Sequence, residues 1–185
     1  MEKQTTRMTK EDRQKQILSA AINVFVEKGY NGATTLEIAK AANISEVTLF
    51  RHFDSKKDIF RLSVEPIVFT TLKESITASK NLTKKQQLEY ILFERIKLVS
   101  KNREVIKLLL MESQINTDLE GINYIEKISL ILKETIKNIG LSIDDEQFVM
   151  RVLIGGILSF LYLPEQDEER INSFIQETIN LIIKD

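Results

Sequence analysis

At 185 residues, 43% hydrophobic and 29% charged, the chain has the size and composition of one or two globular domains with a substantial core. It holds no cysteine and one histidine, which excludes disulfides and thiolate metal sites, and its carboxylates form no recognisable metal-binding spacing. The net charge is −1, yet the first 61 residues carry 11 Lys/Arg against 8 Asp/Glu and the remainder 15 against 19, a bias that suits a polyanionic partner for the N-terminal part.

The opening segment MEKQTTRMTKEDRQ is polar and lacks the apolar stretch of a secretory signal. The longest apolar run, VLIGGILSFLYL from Val152 to Leu163, is too short to span a bilayer. A cytoplasmic protein is expected. With 2 prolines and 6 glycines, helix breakers are scarce and long helices are predicted.

In chain order, Thr9 with Asp12, Thr34 with Glu37, and Ser55 with Asp58 each pair a hydroxyl cap with a carboxylate three residues on, the pattern of a capping box. The first helix is predicted over Asp12–Lys28, with Ile17, Ala21, Val24 and Phe25 as its apolar stripe and Gly29 as its stop. A second helix covers Thr35–Ala42. Asn43, a residue that tolerates the left-handed conformation, makes the turn, and Ser45 caps a third helix that ends near His52 or Phe53. Helices below about 12 residues are marginal alone. These must therefore pack on one another, through Leu36, Ile38, Ala39, Ile44, Leu49 and Phe53, with Phe25. From Ser55 a longer helix runs toward Lys80, interrupted at Pro66, where a kink is expected near the boundary between domains. Helical periodicity continues over Lys84–Val99, Asn102–Gln114, Leu119–Asn138, Asp144–Leu163 and Glu168–Lys184, with connectors at Asn81, Asn116, Thr117, Gly140 and Pro164. No segment reads as a strand. The fold expected is all-α with about nine helices. Residues 1–55 form an N-terminal domain with a helix-turn-helix at about 34–53, and residues 56–185 form a C-terminal helical domain.

The third helix is short and rich in hydrogen-bonding groups. Leu49 and Phe53, at i and i+4, anchor it. Glu46, Val47, Thr48 and Arg51 face outward. They suit base edges in a major groove, through a carboxylate for cytosine, a methyl-bearing contact for thymine and a guanidinium fork for guanine. Thr34, Thr35, Ser45, Phe50, His52 and Lys56 suit the positioning role that contacts to the phosphate backbone perform. For each the plainer alternative is a cap or a solvated surface residue: Thr34 is a cap first, and the Lys56–Lys57 pair is an ordinary helix start.

The run TTLEIAKAANISEVTLFRHFDSKKDIF resembles the helix-turn-helix of the tetracycline-repressor (TetR) family of bacterial transcription regulators, whose pattern is roughly T-x-x-x-I-A-x-x-A-G-V-S-x-x-T-L-Y-x-H-F-x-S-K-x-x-L. Thr34 or Thr35, Ile38, Ala39, Ala42, Ser45, Thr48, Leu49, His52, Phe53, Ser55 and Lys56 occupy the matching places. Asn43 replaces the usual turn glycine. Phe50 replaces the usual tyrosine, so the phenolic hydroxyl is missing and only ring packing against the backbone carries over. The resemblance covers about the first third of the chain; beyond it only helix number and length match. It implies a homodimeric repressor on a palindromic double-stranded DNA operator, with a small, largely apolar effector bound in the C-terminal domain. A constitutive or partner-recruited regulator without an effector is the alternative.

In the C-terminal part, Phe69, Leu72, Phe93, Ile96, Met111 and Phe148, with Met150, are candidates to line a cavity, although such residues at helical spacing more often form ordinary core. Arg95 and Arg151 interrupt apolar sequence; a buried arginine calls for an anionic partner, either a ligand carboxylate or a neighbouring glutamate. The last two helices carry more apolar surface than one layer can bury. Gly155, Gly156, Leu158, Phe174, Ile175, Thr178 (or Ile179) and Ile182 are expected in a four-helix interface between two protomers, against the alternative that these helices are the domain's central core. No nucleophile with a base, phosphate loop or cofactor motif is present, so neither catalysis nor a cofactor is expected.

Overall fold

Each short helix near the N-terminus starts at a side chain that accepts an otherwise orphaned backbone N–H. In the computed structural model, which describes residues 8–115, 123–141, 143 and 145–183, α1 (Lys10–Gly32) is capped by Thr9, α2 (Thr35–Ala41) by Thr34, α3 (Glu46–Phe50) by Ser45 and α4 (Lys56–Glu65) by Ser55. The Thr34 hydroxyl receives the Glu37 amide while the Glu37 carboxylate receives the Thr34 amide, a complete capping box. α1 breaks at Gly29, whose φ of 70° and ψ of 171° lie in a region that glycine alone occupies comfortably.

The first compact unit ends at Pro66 and the second begins at Ile67. In the first, α1 packs on α2 and α4, and α2 on α3. Its centre is an aromatic trio in which the Phe60 ring meets Phe25 and Tyr30 edge-on, at 5.1 and 5.3 Å between centroids. Ile17, Ala21, Ile38, Ala39, Leu49 and Ile59 are wholly buried around it. Leu36 does not join this core: it is 46% exposed, because Ile38 and Ala39 already present the inner face of so short a helix.

Pro66 opens a π-helical turn, Pro66–Thr70, that leads into α5 (Thr71–Ala78). α6 (Lys84–Lys101), α7 (Arg103–Ile115), α8 (Tyr124–Ile139), α9 (Glu146–Ser159) and α10 (Glu168–Ile182) complete the chain. With α4, the π turn and α5 counted as one interrupted helix, the described residues hold nine helices, and all their regular structure is helical. The expected helix start at Leu119, the connector at Asn116 and Thr117, the start at Asp144 and the end at Lys184 lie outside the described residues.

In the second unit α6 is central, packed against α5, α9 and α10. Leu88, Leu92 and Ile96 of α6 join Val149, Leu153 and Ile157 of α9 and Ile171, Ile175 and Ile179 of α10 in one apolar cluster. Burying each such side chain contributes about 1.5–3 kcal/mol. Among the described residues, no helix is long and apolar enough to cross a membrane.

Candidate functional site

The turn between α2 and α3 is built by hydrogen bonds that only one backbone conformation permits. The Ala42 amide donates to Ile38 O at 2.9 Å, Asn43 to Lys40 O at 3.0 Å and Ile44 to Ala39 O at 3.0 Å. This is a Schellman closure with Asn43 at its left-handed position, φ 54°. Two glutamines of α1 brace the motif: Gln16 Nε2 donates to Ala42 O at 2.9 Å, and Gln14 Nε2 to His52 O at 3.4 Å. Neither was anticipated from the sequence.

Leu49 and Phe53, 0% and 4% exposed, hold α3 to the unit, and the outer face is thereby set. Val47 and Phe50 are 66% and 49% exposed, and Arg51, at the C-cap of α3, is exposed too. Thr48 is half-buried, its hydroxyl 2.9 Å from that of Ser45. These are the groups that α3 can present to a partner.

Other expected contact residues are engaged within the protein. Thr35 donates to the Glu46 carboxylate at 2.5 Å, linking the starts of α2 and α3. The Lys56 ammonium donates to the Tyr30 and Ala33 carbonyls at 2.8 and 3.1 Å and lies 4.4 Å from the centre of the Tyr30 ring. It therefore braces the α1–α2 connection from the C-terminal end of α1, where the helix dipole favours a cation. Thr34 closes its capping box. The Glu37 carboxylate, hydrogen-bonded by Lys28 at 2.5 Å and by Thr34, is held down to about 2, with Lys28 the larger cause. His52 is half-buried, and its Nδ1 has no hydrogen-bond partner.

In the second unit the six expected pocket residues disperse. Only Leu72 lines the apolar cavity, of about 50 Å³, which is walled also by Leu98, Leu109, Leu132, Ile154 and Leu158. Phe69 stacks on Tyr124 at 5.9 Å. Ile96 sits in the main cluster and Phe93 packs against it. Met111 and Phe148 are 63% and 45% exposed. Met111 lies across α7 from the buried Leu109. Phe148 immediately precedes the buried Val149, a step of about 100° around the helix.

The expected interface set also divides. Ile175, Thr178 and Ile182 are buried in the protomer's own core, because α10 packs onto α6. Leu158 faces the cavity. The Phe174 ring lies over Gly156, where a Cβ would come within 3.0 Å of it, and meets Phe160 edge-on at 5.2 Å. The outward row is instead Phe148, Gly155, Phe174 and Leu181.

Arg95 of α6 is only 6% exposed. Its Nη1 donates to Val68 O at 3.3 Å and Thr71 Oγ1 at 2.9 Å, and its Nη2 to Ser75 Oγ at 3.1 Å. All three acceptors are neutral. Burial lowers the guanidinium to about 10, against the opposing fields of Glu94 and Glu74. Arg151, by contrast, is exposed.

A short helix anchored by two apolar residues, reached through a Schellman turn and followed by an all-helical second unit, is the architecture of helix-turn-helix regulators. The sequence pattern of bacterial regulatory proteins of the tetR family matches residues 17–62. The negative transcriptional regulator IcaR of the biofilm operon icaADBC in Staphylococcus aureus (strain Newman) is 45% identical over 65 residues, 35% of this chain and 34% of that one. The chain thus matches about a third of the length of this curated relative. Among solved structures, a Clostridium perfringens protein provisionally assigned as a fatty acid metabolism regulator is 29% identical, with 90% of this chain and 96% of that one covered and a TM-score of 0.64. The fatty acid degradation regulator FadR of Bacillus halodurans is 20% identical, with 90% and 94% covered and a TM-score of 0.73; this second likeness is one of fold.

Proposed function

We propose that the protein is a homodimeric, ligand-responsive transcriptional repressor that reads a pseudo-palindromic operator with α3. The observation that carries this is the division of α3 and the turn after it into a buried side, Leu49 and Phe53, and an outer side, Val47, Phe50 and Arg51. Arg51 forks onto a guanine edge or a phosphate, Val47 meets a thymine methyl, Thr48 reaches a phosphate or base, and the Phe50 ring packs against the sugar-phosphate backbone. Thr35, Glu46 and Lys56 hold these groups in place from behind. Negative regulation by the Staphylococcus relative supports repression. The apolar cavity walled by Leu72 and Leu98 supports a ligand-responsive second unit over a constitutive one. Two copies joined through Phe148, Gly155, Phe174 and Leu181 would present two copies of α3 to successive major grooves, about 34–36 Å apart. Ligand binding alters that presentation through the π turn at Pro66, and a difference in affinity of a few kcal/mol between the two states suffices to release DNA.

The test is selection of bound duplexes from a random pool by the wild type, Thr48→Ala and Arg51→Ala. A two-fold-symmetric site is expected from the wild type. Each variant should lose about 1–3 kcal/mol or relax the sequence preference at one position. Absence of any enriched duplex at moderate salt would overturn the reading.

A further inference from the structure

Arg95 is a buried cation whose protein partners are neutral, and its Nε–H has no acceptor at all. Such a group is costly to bury unless an anion completes its shell. A second polar atom is also orphaned: Ser100 Oγ, farther along α6, lacks a partner, and Ser100 lines the same groove as Arg95. That groove, of about 680 Å³, is open, with Ser75, Lys101 and Asn102 in its walls beside Tyr90 and Ile171. Arg95 and Leu98 line both this groove and the apolar cavity of about 50 Å³ beyond it. The two side chains therefore stand between the open groove and the apolar cavity.

We propose that this boundary is the binding site for an amphipathic carboxylate, its head on the Arg95 guanidinium and its apolar chain passing Leu98 into the apolar cavity. This rests on the ligand-responsive reading above and names the class of ligand. A planar carboxylate matches the guanidinium fork. Glu74, Glu94 and Glu165 share the groove with Lys97 and Lys101, so a singly charged head is accepted where a multiply charged one meets repulsion. A water occupies about 30 Å³, so the cavity as it stands has no room for a chain, and the bound state must part its side chains. The same ligand competes for the donors that hold Val68 O and Thr71 Oγ1. Val68 belongs to the π turn and Thr71 follows it directly. Occupancy of the head site thereby acts on the turn where the chain leaves the first unit, which supplies the differential affinity that a switch needs.

Decanoate and decanol, titrated calorimetrically into the full-length protein, test this directly. Decanoate is expected to bind at least about tenfold more tightly than the alcohol, and Arg95→Met should abolish that preference while Arg95→Lys restores part of it. Equal affinity for acid and alcohol, or no binding of decanoate, overturns the proposal. So does a carboxylate preference that survives Arg95→Met. Where Arg95→Met does not fold, judged by its helical circular dichroism, the wild-type comparison alone decides. The duplex selection is run on the same preparation. Selected DNA without carboxylate binding sinks this site and leaves the regulator reading standing; Arg95-dependent carboxylate binding without selected DNA does the reverse.

Discussion

The Ile44 amide reaches back over 3.0 Å to the Ala39 carbonyl, and that bond requires Asn43, the residue before Ile44, to sit at φ 54°. A β-branched side chain at Asn43 would meet the following carbonyl, at about 1–2 kcal/mol for the left-handed conformation. Asn43→Val should therefore lower stability by about that amount, read from the urea midpoint, and Asn43→Gly should leave it unchanged or slightly raised. An Asn43→Val protein as stable as the wild type would mean that the turn closes differently.

Glu37 sets a pH signature. Its carboxylate is held down to about 2 from the usual 4.5, first by the Lys28 hydrogen bond and then by Thr34. The folded carboxylate thus stays ionised where the unfolded one has already taken up its proton. The stabilisation is complete above about 4.5 and is lost as pH falls toward about 2. Glu37→Gln removes it, so the stability gap between wild type and variant should narrow across that window. A gap that stays constant down to the lower end would contradict the assignment.

Association and folding should separate on α9 and α10. Phe148→Glu and Leu181→Glu alter side chains 45% and 59% exposed, and are expected to give monomers with unchanged helical content, seen by light scattering. Ile175→Ala hollows the protomer core, where the side chain is 2% exposed, and should cost about 2–5 kcal/mol of stability. Monomeric Ile175→Ala with dimeric Leu181→Glu would reverse the assignment of faces.

Pro66 lacks an amide hydrogen at the start of the π turn. Pro66→Ala lets that turn tighten toward α-helix, and should change operator affinity or release by ligand several-fold in a fluorescence binding assay. If both were untouched, the turn would have no part in signalling.

Much of the first unit was legible from residue order alone, because its determinants are local. A hydroxyl with a carboxylate three positions later marks a helix start wherever it occurs, and Thr34–Glu37 closes as its spacing requires. Leu49 and Phe53 were paired by helical spacing, and both are buried although α3 ends at Phe50, short of the expected His52 or Phe53. What lies across space was not legible. Gln14 and Gln16 brace the turn from α1, and Lys56 points back to the carbonyls of Tyr30 and Ala33 rather than outward. Both depend on partners some 23 to 38 residues distant.

In the second unit the sequence alone determined that these residues are helical, where most helices start, and that the chain breaks step at Pro66. Periodicity states which residues are apolar neighbours on a helix, but not which other helix covers them. Only tertiary packing decided that Ile175, Thr178 and Ile182 turn into the protomer's own core, that Met111 and Phe148 face solvent, and that Arg95 stands between an open groove and an apolar cavity. The reason is that a helix rotated by one residue about its axis, a turn of about 100°, presents a different stripe inward. That rotation is set by the shapes of its neighbours rather than by its own pattern.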